Sequence, residues 1–238
     1  MTLNAATGAI SGTPAANTAG SYVVTVTATD SANVPVKGSA TFTLIVAGGL
    51  FMTSSGSAPY HATFGTASAA QTAALATGGT YPYTYAITSP ASLPAGLTVN
   101  PTSGVVGTSA LTPAGTYHVT VTATDSTSGT PLTGSITFDI VVALQVSRTN
   151  PVAVTAGSAG TITTVSATGN TGTVTYALDA ATAALGWVTL NSSTGVVAVT
   201  TGSVSGTKSI TVTATDGTTP ANATAAGTGS VTFTMTIN

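Results

Sequence analysis

The stretch Val24-Thr25-Val26-Thr27-Ala28-Thr29-Asp30 returns at residues 119–125 and, with Ile in place of the first Val, at residues 210–216. Apolar residues alternate with threonine along each copy, so one face of an extended strand is apolar and the other is polar. Valine and threonine are both β-branched and suit a pleated strand. Three copies of one half-buried strand predict a chain built from β-repeats.

Two further features recur in register with this strand. An Asn followed four residues later by Gly precedes each copy, with 96 residues from Asn4 to Asn100 and 91 from Asn100 to Asn191. A Thr-Phe strand follows each copy, and its aromatic residues are Phe42, Phe138 and Phe233. Short strands separated by Gly and Pro clusters, without helical periodicity, predict an all-β chain of tandem antiparallel β-sandwiches. Only the Ala-rich residues 179–186 suggest a helical turn.

The spacing of these anchors gives the domain boundaries. Complete sandwiches are predicted at residues 48–143 and 144–238, and residues 1–47 contain only the later strands of a partial one. The connections at residues 47–49 and 143–144 are short, so we expect neighbouring sandwiches to be stacked with limited hinge freedom.

Composition limits the function. The 238 residues include three Lys or Arg, five Asp, no Glu and no Cys. Three dispersed cations cannot neutralise a phosphate backbone, so we expect no nucleic-acid partner. The apolar runs are shorter than the ~20 residues that a membrane helix needs, so we expect no membrane insertion. A surface so poor in charge suits a protein that packs against copies of itself. The first residues do not form a signal peptide, so the chain is either not exported or a mature or partial product.

Three runs identify a family resemblance. Residues 93–100, 102–107 and 114–125 resemble the immunoglobulin-like repeats of bacterial surface and secreted proteins and their cadherin-like relatives. The resemblance covers essentially the whole chain, although Leu185-Gly186-Trp187-Val188 stands where the second copy has Pro94-Ala95-Gly96-Leu97. It implies that the tandem β-sandwiches are immunoglobulin-like, with the first one partial, and that the protein is extracellular or at the cell surface as a spacer or adhesion module.

The Asp that ends each repeated strand has two interpretations. Carboxylates at strand ends bind calcium in cadherin-like arrays, which makes Asp30, Asp125 and Asp216 weak calcium candidates. Calcium needs six to eight oxygen ligands, and each repeat supplies one such Asp without an Asp-x-Asp pair. The alternative is that each Asp closes the turn after its strand through side-chain hydrogen bonds. We expect no cofactor.

No pattern indicates an enzyme. Asp125 and Asp139 have no sequence context that suggests a glycosidase cleft. His61 and His118 are the only imidazoles, and no third ligand type accompanies them as a zinc site requires. A Gly-x-Ser-x-Gly elbow is absent from the sequence.

Most of the aromatic residues are predicted to pack inside the domains. The Phe at the three equivalent positions and the equivalent Tyr85 and Tyr176 are predicted in the core, and Tyr22 and Tyr117 are predicted as corner tyrosines that bond the backbone. Tyr60, Tyr81 and Tyr83 with His61 could form a sugar-stacking patch or cover a domain junction. Asn191 and Asn222 match the glycosylation pattern, which arises often by chance in such a chain.

The partial first repeat supports a hypothesis about function. Its apolar face, formed by Val24, Val26, Phe42 and Leu44, would be exposed together with a sheet edge, and such surfaces are association sites. We therefore expect a structural subunit of an extracellular homopolymer or filament, in which another copy of the chain covers this face by packing or strand complementation. The alternatives are a spacer or stalk fragment of a larger bacterial surface adhesin, a carbohydrate-binding module that contacts surface glycans, or a virion decoration module.

Overall fold

The computed structural model describes residues 1–14, 20–46, 48–55, 58–151 and 153–238, and these are almost entirely β-structure. One short helix interrupts the strands at Ala180–Ala183 (α1), as the Ala-rich stretch predicts, and the Asp179 side chain caps it by accepting a hydrogen bond from the Thr182 amide.

The first repeat forms two separate two-stranded sheets. Strands β1 (Thr2–Leu3) and β2 (Ile10–Ser11) pair with each other, and β3 (Gly20–Thr29) pairs with β4 (Lys37–Val46) in a long antiparallel hairpin. The register runs from Gly20 opposite Val46 to Thr29 opposite Lys37.

The second repeat builds two sheets from eight strands. The strands are β5 (Phe51–Ser54), β6 (Tyr60–Thr63), β7 (Ser68–Thr77), β8 (Thr84–Ser89), β9 (Leu97–Val99), β10 (Val105–Thr108), β11 (Gly115–Thr124) and β12 (Thr133–Ala143). One sheet has the order β5-β7-β10-β9. The other has the order β8-β11-β12-β6. Strand β6 runs parallel to β12, unlike the antiparallel pairing that dominates elsewhere, because the segment that begins in one sheet at β5 continues in the other at β6.

The third repeat has the same two-sheet plan. The strands are β13 (Gln145–Arg148), β14 (Gly160–Thr168), β15 (Val174–Leu178), β16 (Val188–Leu190), β17 (Val196–Val199), β18 (Gly206–Asp216), β19 (Ala225–Ala226) and β20 (Thr228–Ile237). The two sheets have the orders β13-β14-β17-β16 and β15-β18-β20. A core between the sheets joins Ile162 and Val165 of β14 to Ile210, Phe233 and Met235 of the facing sheet.

The repeated Asn-Gly stretch is a tight turn between two strands. In the second repeat the Asn100 Oδ1 accepts from the amides of Thr102 and Ser103, and the Gly104 amide donates to the Asn100 carbonyl. Gly104 has a φ of +69°, and a Cβ there would meet the Ala74 carbonyl. Glycine is required here for both reasons. The positive φ recurs at Gly8 and Gly195 and accounts for glycine at the same offset in every repeat.

Of the predicted core aromatics in the second and third repeats, Tyr85 is buried and Tyr176 is half-buried against the core of the third repeat. Phe138 and Phe233 are buried, and Phe138 packs edge-on against Tyr60 with ring centroids 5.3 Å apart. Tyr117 is fully buried and its hydroxyl donates to the Pro113 carbonyl at 2.8 Å, as a corner tyrosine does. Burial raises the pKa of Tyr117 to about 12.

Phe42 does not follow this prediction. Its ring is 42% exposed. A core position in the hairpin needs a facing sheet, and among the described residues β3 and β4 pair with each other and with no further strand. The sequence pattern marks the inward face of a strand and does not say whether that face is covered.

The second and third repeats are joined by a strand that crosses between them. The loop at residues 217–227, which we call the junction loop, contains β19, and β19 adds to the edge of β11 with Thr116 opposite Ala225. The Thr116 carbonyl accepts from the Thr224 amide at 2.7 Å and from the Thr224 hydroxyl at 3.1 Å. The Asn222 side chain donates to the Ser92 hydroxyl at 3.0 Å. The short connection between these two repeats is thus accompanied by strand pairing and side-chain hydrogen bonds.

Two compact units can be distinguished by internal contacts. Residues 1–51, 76–83 and 124–134 form one, and residues 52–75, 84–123 and 135–238 form the other. The sheets follow the repeat boundaries more closely than these units do, and the interface just described lies wholly within the second unit.

Candidate functional site

One face of the β3–β4 hairpin gathers the residues predicted for self-assembly. The register places Tyr22 opposite Leu44 and Val24 opposite Phe42, with Val26 next along the strand. Because side chains alternate between the faces of a strand, these five residues share one face. We call them the hairpin face. Val24, Val26 and Leu44 are half-buried, and Tyr22 is 44% exposed.

The equivalent face is closed in the other two repeats. Tyr117, Val119 and Val121 are fully buried in the second repeat, and Ile210 and Val212 are fully buried in the third. Nearly identical sequence therefore has a covered inner face in two repeats and an accessible one in the first.

The three repeated Asp residues hold loops together. Asp216 Oδ2 accepts from the amide and hydroxyl of Thr171, and its Oδ1 accepts from the amides of Gly172 and Thr218. Asp125 is bound in the same way by donors from Thr80, Thr127 and Leu132.

In the first repeat, Asp30 Oδ1 accepts from the amides of Ala32 and Val36. The turn-closing role is thus present in all three repeats. In two of them the carboxylate also bridges to a loop about 45 residues earlier in the chain.

Hydrogen bonds set the protonation of these groups. The Thr127 hydroxyl, at 2.6 Å from Asp125 Oδ2, together with backbone amides lowers the pKa of Asp125 to about 2. Burial raises the pKa of Asp216, but the bonds from Thr171, Thr218 and Gly172 outweigh it and the net direction is down. Both side chains are therefore ionised at neutral pH.

The same geometry does not suit calcium. Calcium needs several oxygen ligands with free lone pairs, whereas the oxygens of Asp125 and Asp216 each face two N–H or O–H donors. Within the described ranges, no group of three or more His, Asp or Glu side chains could hold a metal ion.

A family model matches the first and second repeats, which contain the hairpin face, Asp30 and Asp125. The model described as "Putative Ig domain" matches residues 1–47 and 52–143, together more than half of the chain. The chain belongs to this Ig domain family. The first match ends with the hairpin, so the Ig assignment includes the partial repeat as well as the complete one.

Solved structures give a coarser comparison with this Ig-domain chain. Mouse cadherin-23 EC22-24 is 16% identical, with 90% of this chain and 73% of that chain covered and a TM-score of 0.30. Protocadherin gamma B2 extracellular cadherin domains 3-6 are 18% identical over 92% of this chain and 60% of theirs, with a TM-score of 0.34. Human protocadherin-24 EC1-2 is 17% identical over 66% of this chain and 82% of that chain, with a TM-score of 0.33.

A comparison with curated protein sequences gave no match. The family match therefore carries the assignment. An Ig-like domain fits a structural or adhesion-type extracellular module, and such folds are typically not enzymes. Among the described residues, no helix has the length and apolarity to cross a membrane.

An exposed His-Asp pair on the second repeat was not predicted. His118 Nδ1 lies 2.7 Å from Asp139 Oδ1, and both side chains are about half exposed. The equivalent residues of the third repeat, Ser209 and Thr234, also lie directly opposite each other. The strand register brings the pair together, and no local sequence pattern marks it. An exposed pair of this kind contributes little to stability, and nothing around it resembles a catalytic site.

The remaining predicted site residues lie on turns and loops. Asn191 and Asn222 are exposed; the Asn191 Oδ1 accepts from the amides of Ser193 and Thr194, and the Asn222 amide nitrogen bonds Ser92. Glycosylation at either residue stays a prediction.

Among the aromatic candidates, Tyr81 is 76% exposed and packs edge-on against Tyr83 at 5.7 Å. The Tyr83 hydroxyl donates to the Gly78 carbonyl. Tyr60 is buried in the core of the second repeat and so is not part of any surface patch.

Proposed function

We propose that this Ig-domain chain is a structural subunit of an extracellular homopolymer, in which an apolar surface of a neighbouring copy covers the hairpin face. The supporting observation is the contrast in burial between equivalent strands: Phe42 is 42% exposed where Phe138 and Phe233 are 5% and 4% exposed. A second copy of the chain is the partner that we propose for this face.

The expected strength of this contact can be bounded. Full burial of a large apolar side chain is worth roughly 1.5–3 kcal/mol, so each side chain of the hairpin face has at most about 1 kcal/mol left to gain. Five of them approach the lower end of the estimated cost of association, which is on the order of 4–15 kcal/mol. The hairpin face alone therefore supports a weak, concentration-dependent contact, and a stable polymer needs a second one.

The small number of charged residues also supports self-assembly of the chain. Eight charged side chains in 238 residues give a net charge of −2 at pH 7, so little electrostatic repulsion opposes close packing of copies.

Two substitutions in β4 test the roles of its two faces separately. Phe42→Asp places a charge on the hairpin face, and Ile45→Asp, at a residue 75% exposed on the opposite face, is the matched control. We expect the wild-type chain and Ile45→Asp to form larger species as concentration rises in sedimentation velocity, with polymers visible by negative-stain electron microscopy. Phe42→Asp should stay monomeric. Equal assembly of all three proteins would contradict the role of the hairpin face.

A spacer or stalk role in a surface adhesin is the second candidate. The interface between the second and third repeats supports it, because strand addition of β19 to β11 would hold successive domains in a fixed arrangement. This role predicts a wild-type chain that is monomeric at all concentrations. Surface glycans are the partner we propose in that case, with Tyr81 as the exposed aromatic; retention on a polysaccharide column that Tyr81→Ala abolishes would support it, and equal retention of the two proteins would not.

A further inference from the structure

The interface between the second and third repeats has an unused counterpart at the end of the third repeat. Residues 204–207 stand 91 positions after residues 113–116, which are the part of the second repeat that receives the junction loop. Ala114 and Gly115 are buried there, whereas Ser205 and Gly206 are exposed. Val204 is 58% exposed.

The backbone at this place is free to pair. Strand β15 pairs with β18 only at Val212 to Asp216, and the Thr211 amide and carbonyl bond Thr182 and Asp179. Backbone groups alternate in direction along a strand, so those of Thr207 and Ser209 point to the same side as those of Thr211. In the part of the chain that the structure describes, no strand pairs with residues 206–209 on that side. We call residues 204–209 the tail edge.

A counterpart of the junction loop is also available in the first repeat. The amide of the strand-ending Asp identifies it, because Asp216 bonds the Gly227 carbonyl and Asp30 bonds the Val36 carbonyl. Val36 is thus equivalent to Gly227, and Val34 is equivalent to Ala225. Residues 31–36 form a loop, which we call the head loop, in which Val34 is 81% and Val36 67% exposed.

We propose that the head loop of one copy adds to the tail edge of a second copy, with Val34 opposite Thr207, in the way that Ala225 lies opposite Thr116 within the chain. This proposal rests on the proposed homopolymer and names its second contact. The occupant is a second copy because the contact continues the interface that the chain forms between its second and third repeats.

The side chains of the head loop and the tail edge differ from those at the interface between the second and third repeats. Valines at 34 and 36 replace Ala225 and Gly227, and Val204 replaces Pro113. Gly227 packs closely on Ala114, which the larger Val36 cannot do. Pro35 has no N–H. The backbone pairing should therefore be confined to the residues around Val34, and apolar contact with Val204 should supply the rest.

The absence of cysteine from the sequence allows a direct test. Single-cysteine variants Val34→Cys and Thr207→Cys are mixed as full chains under mild oxidation. Residues opposite each other in an antiparallel pair lie about 4.5–5.5 Å apart at Cα, within the range that a disulfide bridges. We expect a disulfide-linked dimer of the two variants to form at least tenfold faster than the pair Val34→Cys with Leu111→Cys. Leu111 is 72% exposed in the second repeat, outside the tail edge, and serves as the control position.

Two outcomes would overturn the proposed contact. One of them leaves the proposed homopolymer in place, and the other contradicts the homopolymer as well. Equal cross-linking rates for the two pairs, in a chain that still assembles through Phe42, would refute the contact and leave the homopolymer intact. A wild-type chain that is monomeric at every concentration would remove both. As a check without cysteine, Val204→Asp should reduce the size of the assemblies without changing the melting temperature; unchanged assemblies would count against the tail edge.

Discussion

At the scale of single residues, the strand-ending Asp residues do more than close a local turn. Asp125 joins the loop that holds Thr80 to the loop that holds Leu132, and Asp216 repeats the arrangement with Thr171 and Thr218. Hydrogen bonds to a charged acceptor are stronger than those between neutral groups. Each of these carboxylates therefore fixes the spacing of two loops at one end of a sandwich.

The pKa of Asp125 predicts how this contribution depends on pH. Because the folded pKa is about 2 and the ordinary value is 3.8, the stabilisation is complete above about pH 4 and is lost as the pH falls toward 2. We expect the melting temperature of the wild-type chain to fall over this range. Asp125→Asn should melt lower at pH 7 and lose less on acidification.

The matched control for this experiment is Asp139→Asn, which removes a half-exposed carboxylate that bonds no loop amide. Its melting temperature should follow the wild-type curve against pH. An identical acid profile for Asp125→Asn and the wild type would show that the Asp125 carboxylate does not stabilise the fold.

The sequence predicts one part of this arrangement and misses another. A strand-ending Asp before a turn is a local pattern, so its bonds to residues two to seven positions ahead were foreseeable. The bond from Thr80 to Asp125 joins residues 45 positions apart, and it depends on how two loops pack. Such a contact has no local signature, although its recurrence at Thr171 and Asp216 shows that the repeat itself encodes it.

At the scale of elements, the contact between β19 and β11 depends on small residues. A Cβ at Gly227 would meet Ala114, and a Cβ at Gly115 would meet the Ala225 carbonyl and Pro220. Periodicity predicted the long strands correctly because their apolar faces repeat every second residue. Periodicity could not predict β19, because a strand of two residues is too short to show a period. This strand forms by pairing with the edge of β11.

Gly227→Ala tests the closeness of this contact. Inserting a methyl group into a packed interface costs about 1–3 kcal/mol, so we expect a lower midpoint in urea unfolding and faster hydrogen exchange at the Thr224 amide. Gly38→Ala is the control, because a Cβ at that strand residue meets nothing within 4 Å. If the Thr224 amide exchanges at the same rate in both variants, the interface is looser than its geometry indicates.

At the scale of the whole molecule, the chain has too few charges for ionic contacts to govern its behaviour. Both proposed contacts between copies, at the hairpin face and at the tail edge, are apolar or made by backbone groups. Salt screens interactions between exposed charges and affects apolar burial much less. The distribution of assembled species in sedimentation velocity should therefore be the same at about 20 mM and about 500 mM sodium chloride. Dissolution of the assemblies at the higher concentration would point to ionic contacts instead.

The length of the loop after each strand-ending Asp has an evolutionary consequence. Six residues separate Asp30 from the start of β4, and eleven separate Asp216 from the start of β20. Lengthening a surface loop costs little free energy, so a duplicated domain can gain a strand that reaches its neighbour without any change to its core. Selection can then convert a freely hinged array into a stiff one, or a stiff one into a hinged one, by insertions and deletions at this single place in the repeat.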